Sequence, residues 1–183
     1  MFLRTVSVAM LVAIAIANTT VRRSEVTALQ DAFNNMTQTL LAIQVDYKAF
    51  SANIDIDYAT AVTDAVRTLD LQVQDAFNAV PNTKQDHVMS DTDGKWACDL
   101  YTKGLDTDFA FGEDFISLKH NFQTVNFTSA VCHVFQNLVA NSAPFDGKFM
   151  AAIPAKYKAC IERYYHIAGK ELDKVVETYC SEA

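Results

Sequence analysis

From Val26 to Ile54 the apolar residues Val26, Leu29, Phe33, Met36, Leu40, Ile43, Tyr47, Phe50 and Ile54 recur at alternating intervals of three and four. That spacing lines one face of an α-helix and does not suit a strand, whose faces alternate every second residue. Gln30, Asp31, Asn34, Asn35, Gln38 and Asp46 fall on the opposite side, and Ser24 stands where an N-cap belongs. Further periodic segments follow, so the stripe reads as the core face of one long helix in an intramolecular bundle rather than a coiled coil between chains.

A second helix is expected from Asp57 to Val80, with Tyr58, Val62, Val66, Leu69, Val73, Phe77 and Val80 on one side, ending at Pro81. Residues 81–93 read as a polar connection. A short helix over Gly94 to Lys103 carries Trp96, Leu100 and Tyr101, and Phe111, Phe115, Leu118, Phe122 and Val125 continue with helical spacing. Phe127, Val131, Val134 and Leu138 restart out of phase, which places a break near Asn126. A loop is expected around Asn141 to Asp146, a short element over Phe149 to Ile153, and a last helix opened by Pro154 and carrying Tyr157, Ile161, Tyr164, Ala168, Leu172, Val175 and Tyr179. Only 5 Gly and 3 Pro are spread over the 183 residues, too few turn formers for a sandwich or barrel of short strands. The expected fold is all-α: a secreted helical bundle of five or six helices, dominated by three long ones and stapled by two disulfides.

The start of the chain reads as targeting. Arg4 precedes an apolar run from Val6 to Ala17 that closes on Ala15, Ile16, Ala17, a small-x-small pattern suited to signal peptidase. A membrane anchor would need about 20 apolar residues, whereas Asn18, Thr19 and Thr20 interrupt this run before Arg22. Residues 1–17 are therefore expected to be a signal peptide and 18–183 a single helical domain, secreted to the extracellular space, with no stable membrane insertion. Loss of Arg4 takes the formal charge from −7 to −8. Such an acidic chain lacks the clustered Lys and Arg that phosphate backbones require, which excludes nucleic acid as a partner. Asn18, Asn35 and Asn126 each open an Asn-x-Thr glycosylation triplet.

The secretory pathway is oxidising, so Cys98, Cys132, Cys160 and Cys180 read as two bridges. Cys160 and Cys180 lie on one helix, roughly 30 Å apart at 1.5 Å per residue, too far to bond to each other. Two pairings remain: Cys98 with Cys160 plus Cys132 with Cys180, or Cys98 with Cys180 plus Cys132 with Cys160. If the helix ending near Asn141 turns back into the one starting at Pro154, Cys132 lies level with Cys160; the second pairing is expected.

Catalytic patterns fail. His87, His120, His133 and His166 show no His-Glu-x-x-His spacing, there is no Gly-x-Ser-x-Gly elbow, and Val134 after His133 breaks the His-Asp dyad of secreted phospholipases. Around Asp91, Asp93 and Gly94 an EF-hand would need ligands at Met89 and Leu100, which excludes calcium of that type. Asp106, Asp108, Glu113 and Asp114 form an acidic patch that reads as solvated charge. No metal site, no cofactor and no enzymatic activity are expected. What stands out is a surplus of rings: eight of the 12 Phe lie between Phe109 and Phe149. Two functions follow. One is a non-enzymatic protein acting through its surface on an unknown extracellular protein, as an effector, immune or signalling factor. The alternative is a carrier of a small apolar or lipid-like ligand in a pocket between helices, lined by Phe115, Phe122, Phe135 and Tyr164, with Lys156, Lys158 or Arg163 at its rim.

Overall fold

The structure, a computed structural model, describes residues 26–80 and 89–181, and of 104–110 the backbone alone. The expected signal peptide, Ser24, Asn18, His87 and most of the 81–93 connection lie outside the described residues. Among those described there are six helices and no strand: α1 Thr27–Ala52, α2 Ile56–Ala79, α3 Asp91–Ser117, α4 Lys119–Thr124, α5 Thr128–Ala152 and α6 Ala155–Cys180. The chain is a helical bundle with two disulfides.

The first two helices obey their spacing. Val26, Leu29, Met36, Ile43 and Phe50 are buried on α1, and Ala59, Val62, Val66, Leu69, Val73 and Ala76 on α2. The stripe stops at Phe50, because α1 ends at Ala52; Ile54 falls in the turn and is exposed, as is Ile56, and Tyr58, expected on the buried side of α2, is exposed because it lies in the first turn beside that connection. Asp55 starts α2 by accepting a hydrogen bond from the Asp57 amide at 2.7 Å, and Ser90 starts α3 in the same way from the Asp93 amide. Asn126 sits between α4 and α5 with φ 58°, the left-handed conformation that Asn tolerates better than most residues, and this makes the expected break.

Two expectations are corrected. The short helix over Gly94 to Lys103 and the following periodic segment are one helix, α3. More consequentially, there is no loop at Asn141 to Asp146: α5 runs through Pro144 to Ala152. Proline removes one N–H from the ladder, but Leu138 before it and Phe145 and Phe149 after it are buried, and their packing holds the helix together.

Register fixes the topology. Asp70 with Asn141 and Phe77 with Lys148 join α2 to α5 at the same sequence offset, 71 residues, so these helices are parallel. Tyr101 with Tyr165 and Phe115 with Tyr179 join α3 to α6 at an offset of 64, so these too are parallel and in register over most of their length. α1 and α2 form one antiparallel hairpin, and α5 and α6 another. Around the bundle the order is α1, α2, α5, α6, α3, and the ring closes where α1 leans on α3.

The α3–α6 contact is close because glycine is there. A Cβ on Gly94 would lie 2.5 Å from Tyr157 Cδ2, and one on Gly112 would lie 3.2 Å from Glu171 Cβ. The two glycines are about five turns apart and so share a face.

The cysteine pairing follows from α5 being continuous. The α5–α6 hairpin turns at Ile153 and Pro154, so Cys132 near the start of α5 is level with the end of α6. The bonds are Cys98–Cys160 and Cys132–Cys180, with Cα separations of 5.8 and 5.2 Å, not the expected Cys98 with Cys180 and Cys132 with Cys160.

Candidate functional site

Rings from α3, α5 and α6 recur at equal intervals. Tyr101 to Phe115, Phe135 to Phe149 and Tyr165 to Tyr179 each span fourteen residues, close to four helical turns, so on each helix both rings point the same way. They gather into two aromatic layers about 21 Å apart along the bundle axis.

In the first layer Phe33 of α1 stands between helices, with ring centroids 5.7 Å from Trp96, 5.6 Å from Tyr101 and 5.8 Å from Phe149. Tyr101 is 4.5 Å from Tyr164 and 5.5 Å from Tyr165. In the second layer Phe115 meets Phe135 at 4.7 Å and Phe122 at 6.1 Å, while Phe50 of α1 meets Phe122 at 4.7 Å. The expected lining residues are thus divided. Phe115, Phe122 and Phe135 come together and are fully buried, whereas Tyr164 belongs to the other layer and is half-buried.

The seam between α1 and α3 is made by side chains. Phe33 reaches Trp96 and Tyr101 at one end, and Phe50 reaches Phe122 at the other. Tyr47 of α1 adds a hydrogen bond to Asp114 of α3; burial raises the pKa of both groups above the ordinary Tyr and Asp values. Both disulfides lie elsewhere, on α3, α5 and α6.

A polar side chain of α5 enters the first layer beside Tyr165. The Tyr165 hydroxyl lies 3.3 Å from that of Tyr101 and is hydrogen-bonded to Asp146 of α5. Burial pushes the Asp146 carboxyl up to about 7, against the Tyr165 hydrogen bond, which lowers it. Burial likewise raises the Tyr165 phenol well above its ordinary value, with the Asp146 charge adding to the rise. Sequence spacing gives no reason to single out Asp146, since Pro144 marks its surroundings as loop; the repeat of rings on α5 and α6 is the signal that locates it.

The remaining expected residues stay at the surface. Lys156 pairs with Asp91 at 2.6 Å and lies over the Tyr157 ring, and Arg163 is exposed. His120, His133, His166 and the glycosylation candidates Asn35 and Asn126 are also exposed. Among the described residues no group of three His, Cys, Asp or Glu is arranged to hold a metal, and no helix is long and apolar enough to cross a membrane. Of the acidic patch, Glu113 is exposed and Asp114 turns to Tyr47.

No protein-family model matches the chain, and no curated protein matches it in sequence. Two solved structures are similar in fold. One is the crystal structure of AFMP4P in complex with palmitic acid, with a TM-score of 0.70 at 12% identity, over 82% of this chain and 99% of that one. The other is ligand-binding domain 2 of the Penicillium marneffei MP1 protein complexed with multiple arachidonic acids, with a TM-score of 0.64 at 11% identity, over 87% of this chain and 98% of that one. At these identities the likeness establishes a common helical architecture.

Proposed function

We propose that the protein is a non-enzymatic carrier that holds a small apolar, lipid-like ligand among the rings between its helices. The observation that carries this reading is the pair of aromatic layers, closed on the α1–α3 side by side chains instead of tight backbone packing. Pockets for apolar guests are lined by such rings, with a few polar groups to orient the guest. The two solved structures named above are complexes with fatty acids, which supports the same class of guest here.

The carrier is read as an exported glycoprotein, released from a leader over residues 1–17. The two disulfides and the exposed Asn35 and Asn126 support that reading. The effector reading, a surface recognised by another extracellular protein, draws on the exposed Ile54, Ile56 and Tyr58 at the α1–α2 turn.

Trp96 is the chain's single tryptophan and touches Phe33 edge-on, so it reports on the first layer directly. Titration with palmitic acid is expected to change its emission saturably. An unchanged emission, with no palmitic acid retained through gel filtration, would refute the carrier reading.

A further inference from the structure

Three helices send polar groups to one point of the first aromatic layer: Asp146 from α5, Tyr165 from α6 and Tyr101 from α3. The path they make leads inward. Asp146 and Tyr165 are half-buried, and Tyr101 is 4% exposed among rings. Packing alone would be served as well by phenylalanine at these positions, and a carboxyl placed there costs desolvation. A short polar chain running from the surface into an apolar layer is the arrangement that orients a ligand with one polar end.

We propose that Asp146, Tyr165 and Tyr101 form the headgroup site of the carrier: they hydrogen-bond a lipid whose head is neutral, either a hydroxyl or an undissociated carboxylic acid. The inference rests on the carrier reading above. The distance between layers supports it, because one acyl chain reaches about 15 Å, half a bilayer's hydrocarbon core. A chain anchored at Tyr165 therefore extends most of the way to Phe115 and Phe135 in the second layer.

The preference for a neutral head follows from what surrounds Asp146 among the described residues. α6 presents Tyr165 and, beyond it, α3 presents Tyr101. α1 meets this turn of α5 with the Phe33 ring, and α2 with the Phe77 carbonyl, which accepts a hydrogen bond from Lys148 at 2.7 Å. The Lys148 cation is thereby held at the end of α2 and over the Phe77 ring. A carboxylate head would meet Asp146 as a second anion, and two carboxyls at one site share a proton. An alcohol meets no such conflict, since it donates to the carboxylate and accepts from the acid.

The test compares dodecanoic acid with dodecan-1-ol on the disulfide-bonded protein, by calorimetry from about pH 6 to about pH 9, a range that brackets the Asp146 transition. Affinity for the alcohol is expected to stay within about twofold, while affinity for the acid falls about tenfold per pH unit above about 7. Asp146→Asn should abolish that fall. Tyr165→Phe, which keeps the ring, should weaken both ligands about fivefold, the loss of roughly one hydrogen bond. Binding of both ligands without the pH step, a step that survives Asp146→Asn, or affinities unmoved by Tyr165→Phe would overturn the headgroup site and leave the carrier standing. Failure of both ligands to bind at any pH would overturn the carrier itself.

Discussion

The Cα atoms of Cys132 and Cys180 stand 5.2 Å apart although 48 residues separate them, which ties the first turns of α5 to the last turn of α6. A peptide map is expected to show Cys132 joined to Cys180 and Cys98 to Cys160. Replacing Cys132 and Cys180 together by Ala should cost about 2 to 5 kcal/mol in denaturant unfolding, because the open chain regains the freedom the bridge removes. A Cys132–Cys160 peptide would contradict the continuous α5.

In the second layer the Tyr179 hydroxyl donates to the Phe115 carbonyl at 2.6 Å. Tyr179→Phe keeps the ring and should cost about 1 kcal/mol, the worth of one such bond. Phe135→Ala tests the rings themselves: it should weaken palmitic acid binding while costing less than the roughly 3 to 5 kcal/mol of a tightly packed Phe. The full cost with unchanged binding would mean that these rings only fill a core.

Stability should depend on pH through Asp146. Its folded value, about 7, lies above its ordinary value of 3.8, so between the two the folded chain holds a proton that the unfolded chain has lost. The stabilisation is therefore complete below about pH 4 and is lost as pH rises through about 7, an effect of order 2 kcal/mol after allowance for partial exposure. The melting temperature is expected to fall from mildly acid to neutral pH, and Asp146→Asn should flatten that slope. Burial also raises the Tyr165 and Tyr179 phenols, which removes further stability above about pH 10, where unfolded Tyr ionises. A slope unchanged in Asp146→Asn would show that this carboxyl is not buried as described.

Glycines separate close packing from helix propensity. At Gly94 an added methyl would meet Tyr157 and Pro154, so Gly94→Ala should cost about 1 to 3 kcal/mol by forcing α3 and α6 apart. At Gly147 nothing stands within 4 Å. Gly147→Ala should therefore stabilise the protein by about 0.5 to 1 kcal/mol through helix propensity. Equal effects at the two positions would contradict the close α3–α6 contact.

Much of the fold is legible in spacing. Val26 to Phe50 and Val62 to Val80 mark buried faces because a helix returns to the same side every three or four residues. What spacing does not carry is the partner of each face: the parallel pairings of α2 with α5 and α3 with α6 rest on Asp70–Asn141, Lys148–Phe77 and Tyr101–Tyr165, contacts between residues far apart in sequence. Pro144 shows a local signal overruled by packing, and the expected cysteine pairing fails with it, because a loop there would move the hairpin turn towards Cys132. At the site, Phe115, Phe122 and Phe135 are visible as periodic rings. Asp146 is not, since a carboxyl near proline looks like surface until Tyr165 is brought against it by α6.

The carrier reading is tested most directly by native mass spectrometry of the protein purified without added lipid from a eukaryotic secreting host, followed by a denatured spectrum of the same sample. A bound apolar mass that is lost on denaturation is expected, and it should be missing from Phe135→Ala protein prepared identically. A bare polypeptide mass that stays bare after incubation with palmitic acid would contradict it.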